Sequence, residues 1–221
     1  MSLTRADLER DRTRQELEQT PLGPHLLSPA ELEESLWQIM EARVTDEDCW
    51  VFGYGSLVWN PLFHFVEKRV VTTHGYHRSF CLWSRVGRGT PDRPGLVLGL
   101  DRGGRCRGVA YRIAPDLVEH ELRLVWRREM MLGAYVPRWV QVSDSETQFR
   151  AIAFTINRAS PAYAGRLPAE TIIERLMTCH GRMGPGIDYL LHTAEALRAC
   201  GIADRHLQEL CDLAHAIKAR R

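Results

Sequence analysis

Eleven residues, Val51-Phe52-Gly53-Tyr54-Gly55-Ser56-Leu57-Val58-Trp59-Asn60-Pro61, place two glycines and a serine directly after an apolar run. Glycine lets a backbone approach a ligand closely, and successive N–H groups on a tight turn form a concavity suited to an anionic oxygen. Ser56 adds a short hydroxyl donor. Two better-known chemistries do not fit the spacing. A dinucleotide fingerprint needs a further glycine where Val58 stands. A serine nucleophile elbow needs glycines at the positions of Tyr54 and Val58. An anion-holding turn and a plain strand turn with no ligand both remain open on pattern alone.

A second feature lies seventy residues further on, where Val118, Leu122, Val125, Glu129 and Leu132 repeat at spacings of three and four and share one face of a predicted helix. Four of them are apolar and Glu129 is not. A carboxylate on a core-facing stripe is disfavoured in its charged form, which raises its pKa toward values useful for proton transfer. The competing reading is a buried salt bridge to Arg127 or Arg128, although both point to other faces of an ideal helix. Glu119 and Glu121 face away from the stripe and read as surface charges. The histidines offer no alternative base: His74 and His77 bracket a turn, and His180, His192, His206 and His215 sit among helices without a nucleophile arranged around them.

The elements that must position these groups follow from periodicity. Residues 1–48 form a polar, partly helical extension. Within it Ser28-Pro29-Ala30-Glu31 reads as an N-cap, and Leu32, Leu36, Ile39 and Met40 make a docking stripe. The segment before Ser28 reads as a mobile or loosely docked arm. Residues 49–221 form the main domain. Short strands are expected at Trp50–Tyr54, Phe65–Thr73, Ser79–Trp83, Leu96–Leu100 and Arg107–Arg112, with Asp101-Arg102-Gly103-Gly104-Arg105 as a hairpin turn between the last two. The polar, broken stretch from Ser84 to Gly95 reads as a long loop beside the site. A helix opens at Ala114-Pro115-Asp116. Strands follow at Arg138–Val142 and Gln148–Ile156, then helices at Pro168–Cys179, Gly186–Cys200 and Asp204–Ala219. Strands with helices at both ends give an α+β class.

Bulk properties exclude several functions. Lys plus Arg number 29 against 28 for Asp plus Glu, so no net field draws a nucleic acid. The arginines from Arg85 to Arg107 read mostly as a solvated face, with one available to a substrate carboxylate. Six scattered cysteines, without Cys-x-x-Cys or zinc-like histidine spacing, read as reduced thiols of a cytoplasmic protein and give no metal site. No long apolar run or apolar leader points to a membrane.

The Tyr54-Gly55-Ser56-Leu57 turn with Trp59-Asn60-Pro61 resembles the signature of the ChaC-type gamma-glutamylcyclotransferase family. Further landmarks similar to that family follow in order: Arg78–Ser84, Arg88–Pro91, Pro94–Leu100, Cys106–Arg112, Trp126–Met130 and Tyr163–Pro168. Together they span about residues 49 to 202. Two positions depart from the pattern: Leu62 stands where a glycine is expected, and Ile187 where a polar residue is expected before Asp188-Tyr189.

The resemblance implies a small mixed β-barrel flanked by helices, gamma-glutamylcyclotransferase-like in fold. It also implies cleavage of glutathione to 5-oxoproline and Cys-Gly, with the substrate's own α-amine as nucleophile. On this reading Glu129 is the general base and acid. Tyr54, Gly55, Ser56 and Leu57 hold the α-carboxylate or the carbonyl oxygen, Tyr189 lines the pocket, and no cofactor or metal is required. A cyclotransferase for other gamma-glutamyl amino acids or amines, and a non-enzymatic regulatory binding module, stay open as alternatives.

Overall fold

The computed structural model describes residues 3–44 and 48–219. The expected division at 48/49 abuts residues 45–47, which lie outside the described residues. The arm before Ser28 carries α1 (Arg5–Glu9) and α2 (Arg12–Glu18), followed by α3 (Pro29–Glu41). At the start of α3, Ser28 and Glu31 form a reciprocal capping box, as the Ser-Pro-Ala-Glu pattern predicts.

The main body begins with β1 (Cys49–Gly53), then β2 (Glu67–Ser84) and β3 (Gly95–Ile113), followed by α4 (Val118–Glu129), β4 (Tyr135–Ser143) and β5 (Gln148–Ile156). It ends with α5 (Ala169–Thr178), a two-residue pair β6 (His180–Gly181) and β7 (Gly184–Pro185), α6 (Gly186–Ala199) and α7 (Arg205–Ala219).

Five strands close into a barrel in the order β1-β3-β2-β4-β5. A parallel pairing at Val51 and Ile152 joins β5 back to β1. The mixed α+β barrel therefore agrees with the class read from the sequence. Its core is built from fully buried side chains of the strands, among them Phe52, Phe80, Leu96, Leu98, Leu100, Ile152 and Phe154, and is covered by Leu122 and Trp126 of α4. Trp126 meets Phe154 edge-on at 5.1 Å and donates from Nε1 to Ser35 Oγ at 2.9 Å, which ties α3 to α4 and the barrel.

Two expectations are corrected. The segment Asp101–Arg105 does not reverse the chain. It runs inside β3, paired with β2 from His77↔Asp101 to His74↔Arg105, and what were read as four short strands are two long ones. Gly103 and Gly104 do take positive φ of 98° and 72°, but they serve an irregularity opposite Gly75, where the register shifts between His74 and Tyr76. The reversal falls in the loop after Ser84. Secondly, the arm is docked. Leu8, Leu17 and Leu22 are buried, and Leu17 and Leu22 cluster with Met131, Leu26 and Val86.

The strand leading into the serine turn is held by a close backbone approach. A Cβ on Gly108 would lie 2.4 Å from Gly53 O and 2.7 Å from the Phe52 ring. Gly108→Ala is therefore expected to lower stability by about 1–3 kcal/mol, read as a lower urea midpoint at unchanged slope. An unchanged midpoint would show that β1 and β3 can part without cost.

Candidate active site

Beyond Gly53 the chain leaves the sheet, and Ser56–Val58 forms one turn of 3-10 helix without a side-chain cap. The N–H groups of Val58 and Asn60 donate to Gly55 O at 3.0 Å and Ser56 O at 2.8 Å. Among the described residues those of Gly55, Ser56 and Leu57 have no backbone acceptor, so they are the donors that the turn leaves uncommitted. Arg78 of β2 fixes the turn from behind. Its buried guanidinium donates from Nε to Tyr54 O at 2.6 Å and from Nη1 to Asp204 at 2.5 Å. No feature of the Arg78 context alone would have assigned it this place.

Glu129 is the last residue of α4, and its side chain keeps only 12 % exposure. Arg128 Nε lies 2.9 Å from Glu129 Oε1, and Arg128 Nη2 donates to Ser56 Oγ at 2.7 Å. The same guanidinium donates to Asn60 O and, at 3.4 Å, to Pro61 O. One cation thus bridges the carboxylate, the serine and the loop that follows it. This corrects the expectation that Arg128 points away. The helix ends at Glu129, Leu132 lies beyond it, and the long Arg128 side chain sweeps round the free helix end. Burial pushes the Glu129 pKa above the ordinary carboxylate value, and the Arg128 charge offsets this only in part.

Three tyrosines complete the surroundings. Tyr54 donates its hydroxyl to Phe154 O at 2.7 Å and Tyr135 to Leu98 O at 3.2 Å, while Tyr189 receives a backbone hydrogen bond from Leu98. Burial drives all three phenols upward, Tyr189 to about 12, with the nearby Glu129 charge adding to the effect, so they stay protonated at neutral pH. Gly55 is required here by contact, since a Cβ on it would sit 2.8 Å from the Tyr189 hydroxyl. The helix carrying Tyr189 is anchored to the turn by Thr193, which donates to Tyr189 O at 2.7 Å and accepts from Trp59 Nε1 at 3.1 Å. Ile187, the apolar departure noted in the sequence, is simply buried.

The structure brings Tyr54, Gly55, Ser56, Leu57, Glu129 and Tyr189 to one end of the barrel. It adds Arg128, Tyr135 and Arg88, which sequence reasoning missed. Tyr135 offered no local signal beyond an aromatic hydroxyl at the start of a strand. Arg88 is the member of the arginine run that comes to the site. It is buried, lies 5.6 Å from the Tyr189 ring centroid, and donates to Met183 O at 2.7 Å and Pro185 O at 3.1 Å. Among the described residues no group of three or more His, Cys, Asp or Glu is placed to hold a metal, and no helix is long and apolar enough to cross a membrane.

Known proteins resemble this chain in sequence and in fold. Residues 49–217 match a family model described as ChaC-like protein. The chain is 38% identical over 177 residues to a glutathione-specific gamma-glutamylcyclotransferase of Escherichia coli (strain K12), covering 80% of this chain and 77% of that one. It is 33% identical over 196 residues to glutathione-specific gamma-glutamylcyclotransferase 1 of Rattus norvegicus, covering 86% of each. Among solved structures, a gamma-glutamyl cyclotransferase specific to glutathione from yeast is similar with a TM-score of 0.71 at 20% identity, covering 77% of this chain and 97% of that chain. At that identity the likeness speaks for a shared fold.

Because burial raises the Glu129 pKa, the folded chain holds that proton more tightly than the unfolded chain, and ionisation lowers stability as pH rises above the ordinary value of 4.5. Glu129→Gln removes this loss. Relative to the wild type, its melting temperature is expected to be higher at pH 7 than at pH 4.5. A variant less stable at pH 7 than at pH 4.5, relative to wild type, would contradict the direction of the shift.

Proposed function

This chain belongs to the ChaC-like protein family, and from that premise we propose that it is a glutathione-specific gamma-glutamylcyclotransferase acting in the cytoplasm. The observation that carries the mechanism is a nearly buried carboxylate joined through Arg128 to the serine turn, whose Gly55, Ser56 and Leu57 N–H groups have no backbone acceptor.

The reaction supplies its own nucleophile. Glu129 takes a proton from the α-ammonium of the gamma-glutamyl group, and the freed amine attacks the γ-carbonyl carbon of the same group. A new C–N bond closes the five-membered ring, and the carbonyl oxygen becomes an oxyanion. Collapse of that centre breaks the original amide C–N bond. Glu129-H returns its proton to the departing nitrogen, and the ring nitrogen, which carries two hydrogens after the attack, passes its extra proton to that amine, so that 5-oxoproline and Cys-Gly (as its ammonium) leave and the carboxylate is regenerated. Intramolecular attack has a high effective molarity, so the protein's main tasks are to hold the glutamyl chain curled and to handle one proton.

The donors of Gly55, Ser56 and Leu57 suit an anionic oxygen of the glutamyl group, in either its α-carboxylate or its developing oxyanion form. With its Oγ accepting from Arg128, Ser56 is left to direct its hydroxyl proton outward. Tyr54, Tyr135 and Tyr189 wall the centre with neutral phenols, which keep water away from Glu129 without bringing a competing charge. Every group in this scheme comes from the chain or the substrate.

The purified protein incubated with glutathione, without added metal, is expected to release 5-oxoproline and Cys-Gly in equal amounts. Glu129→Gln should lower kcat by about 10²–10⁴-fold, the range of a lost acid–base group. Faster release from gamma-glutamyl-alanine than from glutathione would reassign the substrate. Unchanged turnover in Glu129→Gln would remove its catalytic role.

A further inference from the structure

The arm lies before the residues that match the family model, yet it reaches the site through one buried carboxylate. Glu121 was read as a surface charge; it is fully buried on the face of α4 that the arm covers. Arg5 of α1 grips it bidentately, Nη1 to Oε2 at 2.7 Å and Nη2 to Oε1 at 2.9 Å. The other acceptor positions of Glu121 hold the loop after Pro61. His64 N donates to Oε2 at 2.9 Å, and His64 Nδ1 lies 3.2 Å from Oε1. Burial alone would raise the Glu121 pKa, but Arg5 and the His64 N–H together hold it below the ordinary carboxylate value, so it stays charged. Further bonds join the same two segments: Arg5 Nη1 to Leu62 O at 3.4 Å, and Asn60 Nδ2 to Leu3 O at 3.3 Å. Arg127, also on α4, donates to Leu8 O and Glu9 O, each at 3.0 Å.

The held loop is strained at one point. Leu62 has φ of 59°, in the left-handed region that a branched side chain enters only when its surroundings impose it. Glycine would adopt that conformation freely. Two residues and one residue earlier, the same loop supplies the Asn60 and Pro61 carbonyls that receive Arg128. The arm thus contacts a loop whose conformation its sequence does not favour by itself, and the carbonyls of that loop receive the Arg128 side chain that reaches Ser56 and Glu129.

We propose that the N-terminal arm is a working part of the catalytic centre, with Arg5 a positioning residue that acts through Glu121 and the Leu62 loop on Arg128. Arg5 is remote from the reacting atoms; its effect is on where the Arg128 charge sits. In its absence the loop relaxes, Arg128 loses its carbonyl anchors, and Glu129 loses part of the charge that draws its pKa down against burial. The other titratable groups facing Glu129 are the phenols of Tyr54, Tyr135 and Tyr189.

The inference rests on the reading under Proposed function, and the experiment separates the two. The full chain and its Arg5→Ala, Arg5→Ala/Leu62→Gly and Arg12→Ala variants are assayed for 5-oxoproline release from glutathione, well below each melting temperature. Arg5→Ala is expected to lower kcat/KM by about tenfold, the scale of coupling through such networks, and to move the acid limb of its pH profile upward. Adding Leu62→Gly should recover most of that loss and return the limb, because glycine takes the positive φ of that position without the strain that drives the loop to relax. Arg12→Ala, which removes only an exposed pair with Asp7, should leave the rate unchanged. A wild-type rate and limb in Arg5→Ala, or a loss that Leu62→Gly does not recover, overturns the inference. If the wild type itself releases no 5-oxoproline, the functional reading fails, and amide hydrogen exchange still decides the inference. Exchange at Asn60 and His64 should speed up in Arg5→Ala and slow again in the double variant. Exchange unaltered by Arg5→Ala would overturn it.

Discussion

The Arg128 guanidinium is the junction on which the rest of this structure depends. It is nearly buried, and its donors reach Glu129, Ser56 and the carbonyls of Asn60 and Pro61 at once. A buried cation of this kind is tolerable only with its partners fixed around it. Each partner is accordingly supplied by a different, independently anchored element: the end of α4, the turn after β1, and the loop beyond that turn. Burial raises the pKa of Glu129 and Arg128 partly restores it. The balance between those two effects sets how tightly the carboxylate holds a proton.

Around that junction the barrel serves as a frame. The closed sheet ends in the serine turn, Arg78 pins the turn's Tyr54 carbonyl from the rear, and α6 brings Tyr189 over Gly55 with Thr193 and Trp59 as fasteners. Two faces of α4 are used. One packs Leu122 and Val125 on the barrel; the other buries Glu121 under the arm. A single helix therefore holds the core, the arm and the candidate catalytic group, which accounts for the appearance of the arm in the chemistry despite its distance in sequence.

How much was legible beforehand depended on whether a signal was local. The α+β barrel followed from strand periodicity and from resemblance, and the capping box at Ser28 was readable because all its parts lie within four residues. Glu129 stood out because one carboxylate interrupted an apolar stripe. Glu121 did not, because the partners that meet it, Arg5 and His64, lie far from it in sequence, and no pattern within α4 announces a second covered face. Gly103-Gly104 reads locally as a reversal, yet pairing with β2 on both sides of it draws the segment into one long strand. Arg128 was misjudged because ideal helix geometry describes Cβ directions, and a long side chain at a helix terminus reaches past them.

The central claim is that a buried glutamate, its pKa raised by burial and steadied by Arg128, handles the substrate's proton. The pH dependence of kcat/KM for 5-oxoproline release from glutathione tests it most directly. The account predicts an acid limb lying above 4.5, the ordinary glutamate value, and absent from the residual activity of Glu129→Gln. An acid limb at the ordinary value, or one that persists unchanged in that variant, would contradict it.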